Sequence, residues 1–164
     1  MPNFRIRRLA TRADLAAVHA IYMHAEVVPY LGIDPASIED FEIVFQGLLA
    51  TGTFFVALHE GVVRGFHRVN RQKGRSHHVA VLETLAIDPA MRGTGFAKAM
   101  IDEALHHMHG DGIRRVELMV EADNPRAFAF YRKLGFEQEG RLRAAYKRAD
   151  EKDYVDEILM ARLL

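Results

Sequence analysis

Ile87-Asp88-Pro89-Ala90-Met91-Arg92-Gly93-Thr94-Gly95-Phe96-Ala97 is the stretch from which the fold can be read. The β-rich run before it, starting at 78, stops at Asp88-Pro89, because proline has no N–H to give to a strand ladder. After a short loop two glycines open a helix over 95–108, with Ala97, Met100, Ile101, Ala104, Leu105 and Met108 at helical spacing. Glycine lets the backbone approach a ligand closely and take up conformations that a side chain forbids. The free N–H groups of a helix start point at one spot, where the helix dipole favours an anion. Strand, glycine turn and helix together can hold a pyrophosphate. Taken alone, the two glycines are as consistent with a plain turn between strand and helix. Two other phosphate signatures do not fit: Lys98 stands where a dinucleotide-binding Gly-x-Gly-x-x-Gly needs its third glycine, and no Gly-x-x-x-x-Gly-Lys-Ser/Thr occurs.

Upstream, 4–9 alternates apolar and basic residues and predicts a strand. Thr11 and Asp14 read as a helix start, with Thr11 as N-cap and Asp14 near the positive helix end. Leu15, Val18, Tyr22 and Ala25 carry the helical spacing that follows. Two prolines and a glycine make 27–35 a loop, and Ser37 caps a second helix with Ile38, Phe41, Phe45 and Leu48 on one face. Glu60-Gly61 suits a hairpin turn between strands over 53–59 and 62–69. Downstream, 116–120 predicts a short strand, and Asn124-Pro125 starts a helix that runs to Gly135. A final strand pair covers 136–146 and 154–163. The order β-α-α-β-β-β-α-β-α-β-β predicts an α/β (α+β) fold, a mixed sheet flanked by helices. With no repeat or linker, 1–164 reads as a single domain.

Composition removes several function classes. Lys+Arg and Asp+Glu both number 22, so no net charge draws the chain to nucleic acid or to an anionic membrane surface. There is no cysteine, which excludes a disulfide, a thiolate metal site and a cysteine nucleophile. No stretch approaches the roughly 20 apolar residues of a membrane span, and the N-terminus has no apolar run of signal-peptide length. A cytoplasmic location is the expectation.

Arg92-Gly93-Thr94-Gly95-Phe96-Ala97 matches Arg/Gln-x-x-Gly-x-Gly/Ala, and Asn124-Pro125-Arg126-Ala127-Phe128-Ala129-Phe130-Tyr131-Arg132-Lys133-Leu134-Gly135-Phe136 matches Asn-x-x-Ala-x-x-x-Tyr-x-x-x-Gly-Phe. By these two motifs and the element order, nearly the full chain resembles the GNAT superfamily of acetyl-CoA-dependent N-acetyltransferases. The stretches 135–141 and 154–160 are similar to a bacterial branch with amino-acid, polyamine and ribosomal-protein N-terminal acetyltransferases. The resemblance implies a mostly antiparallel sheet of about seven strands flanked by about four helices. It also implies acetyl-CoA as cosubstrate, its pyrophosphate on the backbone amides of Arg92, Gly93, Thr94, Gly95, Phe96 and Ala97. Pantetheine would lie along Leu85, Ala86 and Ile87 like an added strand, and the Leu85 N–H would be the oxyanion donor. Asn124 would contact the cosubstrate, although capping its own helix explains it as well.

Acetyl transfer from a thioester to an amine needs the amine deprotonated, the tetrahedral oxyanion stabilised and the leaving thiolate protonated. A phenol, with an ordinary pKa of about 10, stays protonated at neutral pH. The resemblance makes Tyr131 the general acid. Glu83 interrupts the apolar strand at 79–87, where a carboxylate must face a cleft, water or a partner. The family's use of a glutamate on this strand makes it the candidate base; a hydrogen-bonded structural glutamate is the competing reading.

No metal is expected: His106, His107 and His109 lack metal-ligand spacing and read as surface residues. Val27, Val28, Tyr30, Leu31 and Ile33, in the loop between the first two helices, favour an acceptor with an apolar part. The expected partner is a small-molecule amine, foremost an amino acid, with a protein N-terminus as the alternative within the class. A catalytically silent acyl-CoA-binding sensor is the alternative outside it. Relatives often dimerise, so a homodimer is a further expectation of the resemblance.

Overall fold

The structure is a computed structural model that describes residues 3–149 and 151–164; Met1, Pro2 and Asp150 lie outside the described residues. The elements are β1 (Phe4–Arg8), α1 (Leu15–Tyr22), α2 (Ile38–Thr51), β2 (Phe54–His59), β3 (Val62–Arg71), β4 (Val79–Ile87), α3 (Phe96–Gly110), β5 (Arg115–Glu121), α4 (Pro125–Lys133), β6 (Glu137–Tyr146) and β7 (Val155–Leu163). The strands form a sheet in the order β1-β2-β3-β4-β5-β7-β6, parallel at β4/β5 and antiparallel at β1/β2, β2/β3, β5/β7 and β6/β7. This is the mixed, mostly antiparallel sheet with four helices that the element order and the resemblance imply. The described residues group into two compact units, one running through Val69 and resuming over Thr84–Ala104, the other made of Asn70–Glu83 and Leu105–Leu164.

In the first unit the core is aromatic. Phe41 and Phe45 of α2, Phe54 of β2 and Phe66 of β3 are fully buried, each side chain contributing about 1.5–3 kcal/mol by leaving water. Tyr22, at the end of α1, has its ring 5.1 Å from Phe41 and stacked 5.1 Å from Phe66. Ser37 Oγ accepts the Asp40 N–H at 3.1 Å and so caps α2, as its sequence implies. The start of α1 differs from the expectation. Thr11 accepts the Ala13 N–H at 3.2 Å and caps a short 3-10 turn, while Asp14 makes no cap and receives two hydrogen bonds from Arg7, at 2.7 and 2.6 Å. Buried as it is, the Asp14 carboxylate needs a cationic partner more than the exposed helix end needs a cap.

In the second unit, β5 buries Val116, Leu118 and Val120 and turns Glu117, Met119 and Glu121 outward, the period of two that a strand imposes. Its whole length pairs with β7, from Arg115–Leu163 to Glu121–Glu157. Helix α4 begins where its sequence says: Asn124 Oδ1 accepts the Ala127 N–H at 3.1 Å and Pro125 takes the first helical position. Gly135, at φ +83°, leaves the helix in the left-handed region, and Arg162 donates to the Leu134 carbonyl at 2.6 Å.

Candidate functional site

In the first unit the end of β4, the turn and the start of α3 form one continuous feature. Asp88 fixes the turn: its carboxylate accepts from Ala90 N–H at 2.9 Å and from Arg64 at 2.6 Å, while its own N–H donates to the Arg64 carbonyl at 2.8 Å. Burial alone would raise the Asp88 carboxyl, but the Ala90 N–H and the Arg64 guanidinium outweigh it and hold it below its usual range. Gly93 and Gly95 sit at φ +75° and +85°, and no atom lies within 4 Å of a Cβ built on either. The conformation therefore demands glycine and leaves the backbone bare on that side. The Phe96 ring is fully buried and meets Phe4 edge-on at 5.5 Å, which anchors the first turn of α3. Its amide donates to Thr94 Oγ1 at 3.3 Å, and the Arg92 and Thr94 amides donate to the Pro89 and Met91 carbonyls at 3.1 and 3.4 Å, so three of the six expected amides are taken up within the turn. The amides of Ala97 and Lys98 belong to the first helical turn, where no intrahelical acceptor exists. Arg92 is ion-paired with Glu26.

Thr84 precedes Leu85, Ala86 and Ile87 and has φ +47°, a left-handed backbone in mid-strand. For a β-branched residue that conformation costs about 1–2 kcal/mol. Tyr22, pinned between Phe41 and Phe66, is hydrogen-bonded through its hydroxyl to the Thr84 side chain. Burial pushes that hydroxyl up to about 12, a rise that the Thr84 bond and Arg68 temper. Of the apolar loop residues, Val27 belongs to the core, and Leu31 and Ile33 are partly buried against it.

In the second unit Glu83 is half-buried and accepts a hydrogen bond from Asn70 Nδ2 at 2.6 Å. Among the described residues the parallel ladder runs from Val79–Arg115 to Val81–Glu117, so Leu82 and Glu83 continue β4 without a β5 partner. Tyr131, on α4, is buried, with its ring 5.7 Å from Phe136 and 5.3 Å from Phe130. Burial, and then the charge of Glu121, push its hydroxyl well above the ordinary phenol range. Asn124 serves as the α4 cap, the second of its two readings.

Two residues of interest carry no distinguishing mark in the sequence. Thr84 is an ordinary β-former whose left-handed backbone nothing local announces. Glu121 occupies the polar phase of β5 just as Glu117 does, yet burial pushes its carboxyl up to about 7, with Glu157 and Asp123 acting the same way and Arg148 against. Among the described residues no group of three or more His, Asp or Glu could hold a metal ion, and no helix is long and apolar enough to cross a membrane. His106, His107 and His109 are exposed, whereas His67 of β3 is buried, stacked 5.4 Å from Phe55.

The sequence profile of the acetyltransferase (GNAT) family matches residues 14–136. Mycothiol acetyltransferase of Saccharomonospora viridis is 40% identical over 95 residues, 54% of this chain and 30% of the relative. The chain thus spans about three tenths of the length of the curated relatives it matches. Among solved structures, a phosphinothricin acetyltransferase from Sinorhizobium meliloti in complex with AcCoA has a TM-score of 0.75 at 25% identity, covering 99% of this chain and 89% of that one. Spermidine N-acetyltransferase from Vibrio cholerae, in complex with CoA and spermine, has a TM-score of 0.82 at 23% identity, covering 99% and 96%.

Proposed function

The chain belongs to the acetyltransferase (GNAT) family, and from that premise we propose that it transfers the acetyl group of acetyl-CoA to the primary amine of a small molecule, an amino acid or a related amine. One observation carries this reading: two glycines in left-handed conformations leave the backbone bare at the start of α3, which suits an anion as bulky as a pyrophosphate. The backbone at Gly93, Gly95 and Ala97 holds that group, while the Arg92 and Thr94 amides, which donate to the Pro89 and Met91 carbonyls, and the Phe96 ring fix the turn. Leu85, Ala86 and Ile87 run beside pantetheine, and the strained Thr84 aims the Leu85 N–H at the oxyanion. Glu83, steadied by Asn70, takes a proton from the incoming ammonium. The amine attacks the thioester carbonyl carbon, the carbon–sulfur bond breaks, and Tyr131 gives its proton to the thiolate. A phenol held above its ordinary range stays protonated until that moment.

The similar proteins include acetyltransferases named for mycothiol, phosphinothricin and spermidine and others named for a ribosomal-protein alanine, so a protein N-terminus stands as the second acceptor class. The test is acetyl-CoA-dependent thiol release across amino acids, polyamines, aminoglycosides and short peptides, to which a cysteine-free chain adds no background. Turnover confined to one small-amine class is the expected result. Acetyl-CoA binding with silence across the small amines would favour a protein acceptor or the sensor, and absence of binding would overturn the reading.

A further inference from the structure

Three cations stand around the turn between β4 and α3, and their partners differ in kind. Arg64 donates to the Asp88 carboxylate at 2.6 Å, and the same carboxylate accepts the Ala90 N–H, so this pair is part of the turn itself. Lys98 is paired with Asp102, one helical turn further along α3. Arg92 reaches out of the turn altogether: its Nη1 donates to Oε2 of Glu26, 66 residues back in the chain. The backbone of Glu26 is fixed, but its carboxylate faces water. Its N–H donates to His24 Nδ1 at 3.2 Å, the His24 carbonyl accepts from Val27 and Val28 at 2.8 and 2.9 Å, and both valines are buried. The Glu26 side chain is nevertheless 60% exposed, against 25% for that of Arg92. Breaking the pair returns the carboxylate to water at little cost, whereas the largely covered guanidinium still needs an anion.

A carboxylate on Arg92 is thus a small internal anion beside a turn that suits a larger one. Arg92 precedes Gly93, whose bare backbone is part of the proposed pyrophosphate seat. Its own amide is fixed to the Pro89 carbonyl at 3.1 Å, so only the side chain needs to swing. A pyrophosphate brings more negative charge than one carboxylate, and oxygens that match the guanidinium fork. Resting on the reading of this turn as the cosubstrate seat, we propose that Glu26 competes with CoA for Arg92 and so sets how tightly CoA is held. The pyrophosphate takes the guanidinium from Glu26 on binding, and Glu26 takes it back as product CoA leaves. Glu26 therefore lowers the affinity for the pyrophosphate end and hastens release, without touching the acetyl group or the amine. The exchange makes and breaks ion pairs and no covalent bond.

The test is the dissociation constant and release rate of CoA, and the dissociation constant of pantetheine, which lacks the pyrophosphate. Both are measured by calorimetric titration and stopped flow on the wild type, Glu26→Gln, Arg92→Gln and the double variant Glu26→Gln/Arg92→Gln. Glu26→Gln should bind CoA roughly threefold more tightly, mostly through slower release, and pantetheine as the wild type does. Arg92→Gln should bind CoA more weakly, and Glu26→Gln added to it should recover nothing, because the two charges act through each other. Unchanged CoA binding in Glu26→Gln overturns the inference, and so does weaker binding, which would make Glu26 a support that holds Arg92 ready for the phosphate. Tighter binding that persists without Arg92, or that extends to pantetheine, overturns it as well. Each of these results leaves the acetyl-transfer reading intact, whereas a wild type that binds no CoA overturns both.

Discussion

A phenol buried beside a carboxylate resists ionisation twice over, once because burial disfavours its anion and once because the neighbouring charge repels it. Tyr131 has both neighbours, and its role should show in chemistry rather than in binding. Tyr131→Phe removes one oxygen and little packing, so kcat should fall by roughly 10²-fold or more while the acetyl-CoA dissociation constant stays within about twofold, as stopped-flow and equilibrium titration would read. An equal loss in affinity would mean that Tyr131 binds rather than reacts. Tyr131, Gly93 and Gly95 could be picked out in the sequence because each stands in a motif whose spacing is set by one local element. Glu121 and Thr84 could not. The pKa of Glu121 depends first on burial and then on groups far along the chain, Glu157 through strand pairing and Arg148 from the segment between β6 and β7, and the partner of the Thr84 side chain, Tyr22, is equally distant in sequence.

At the scale of the element, strand β4 and the turn after it are held in place by different means. The turn depends on backbone conformation, so Gly93→Ala puts a Cβ on a residue at φ +75° and costs about 1–2 kcal/mol. That cost, carried by the bound geometry, predicts acetyl-CoA affinity lower by about tenfold in a calorimetric titration, with the helix signal by circular dichroism preserved. Within the strand, Thr84 is braced by a side-chain pair. Thr84→Val keeps the branched shape but takes the hydroxyl from Tyr22, whose side chain is buried, and should lower the unfolding free energy in urea by about 1–3 kcal/mol. An unchanged midpoint would show that Tyr22 does not brace Thr84. All eleven helices and strands of the architecture were legible in the sequence to within a few residues, because amphipathic spacing and caps are local signals. The start of α1 was not, since Asp14 answers to Arg7 of β1 and not to its own helix. The apolar loop between α1 and α2 gives no decisive signal for a related reason: burial against the core and exposure to an acceptor call for the same residue types.

For the whole molecule, pH acts through a buried and a half-buried group of opposite sense, His67 and Glu121. Burial pulls the His67 imidazole down to about 4, so between about 6.5 and 4 the unfolded chain takes up a proton that the folded one refuses. Stability is therefore lost as pH falls through that window, by about 3 kcal/mol in full, while Glu121, raised to about 7, contributes stability that is lost as pH rises from its unfolded value toward neutrality. Urea midpoints from pH 7 to 4 should fall more steeply for the wild type than for His67→Phe, which keeps a ring against Phe55 and titrates nothing; parallel slopes would remove His67 as the cause. Above these details stands the claim that this fold joins an acetyl group to an amine. Its most direct test is mass spectrometry of a mixed pool of amino acids and polyamines incubated with isotope-labelled acetyl-CoA, with and without the protein. The account predicts that a small amine gains one labelled acetyl group only when the protein is present. A pool that stays unlabelled while the protein binds acetyl-CoA would contradict it.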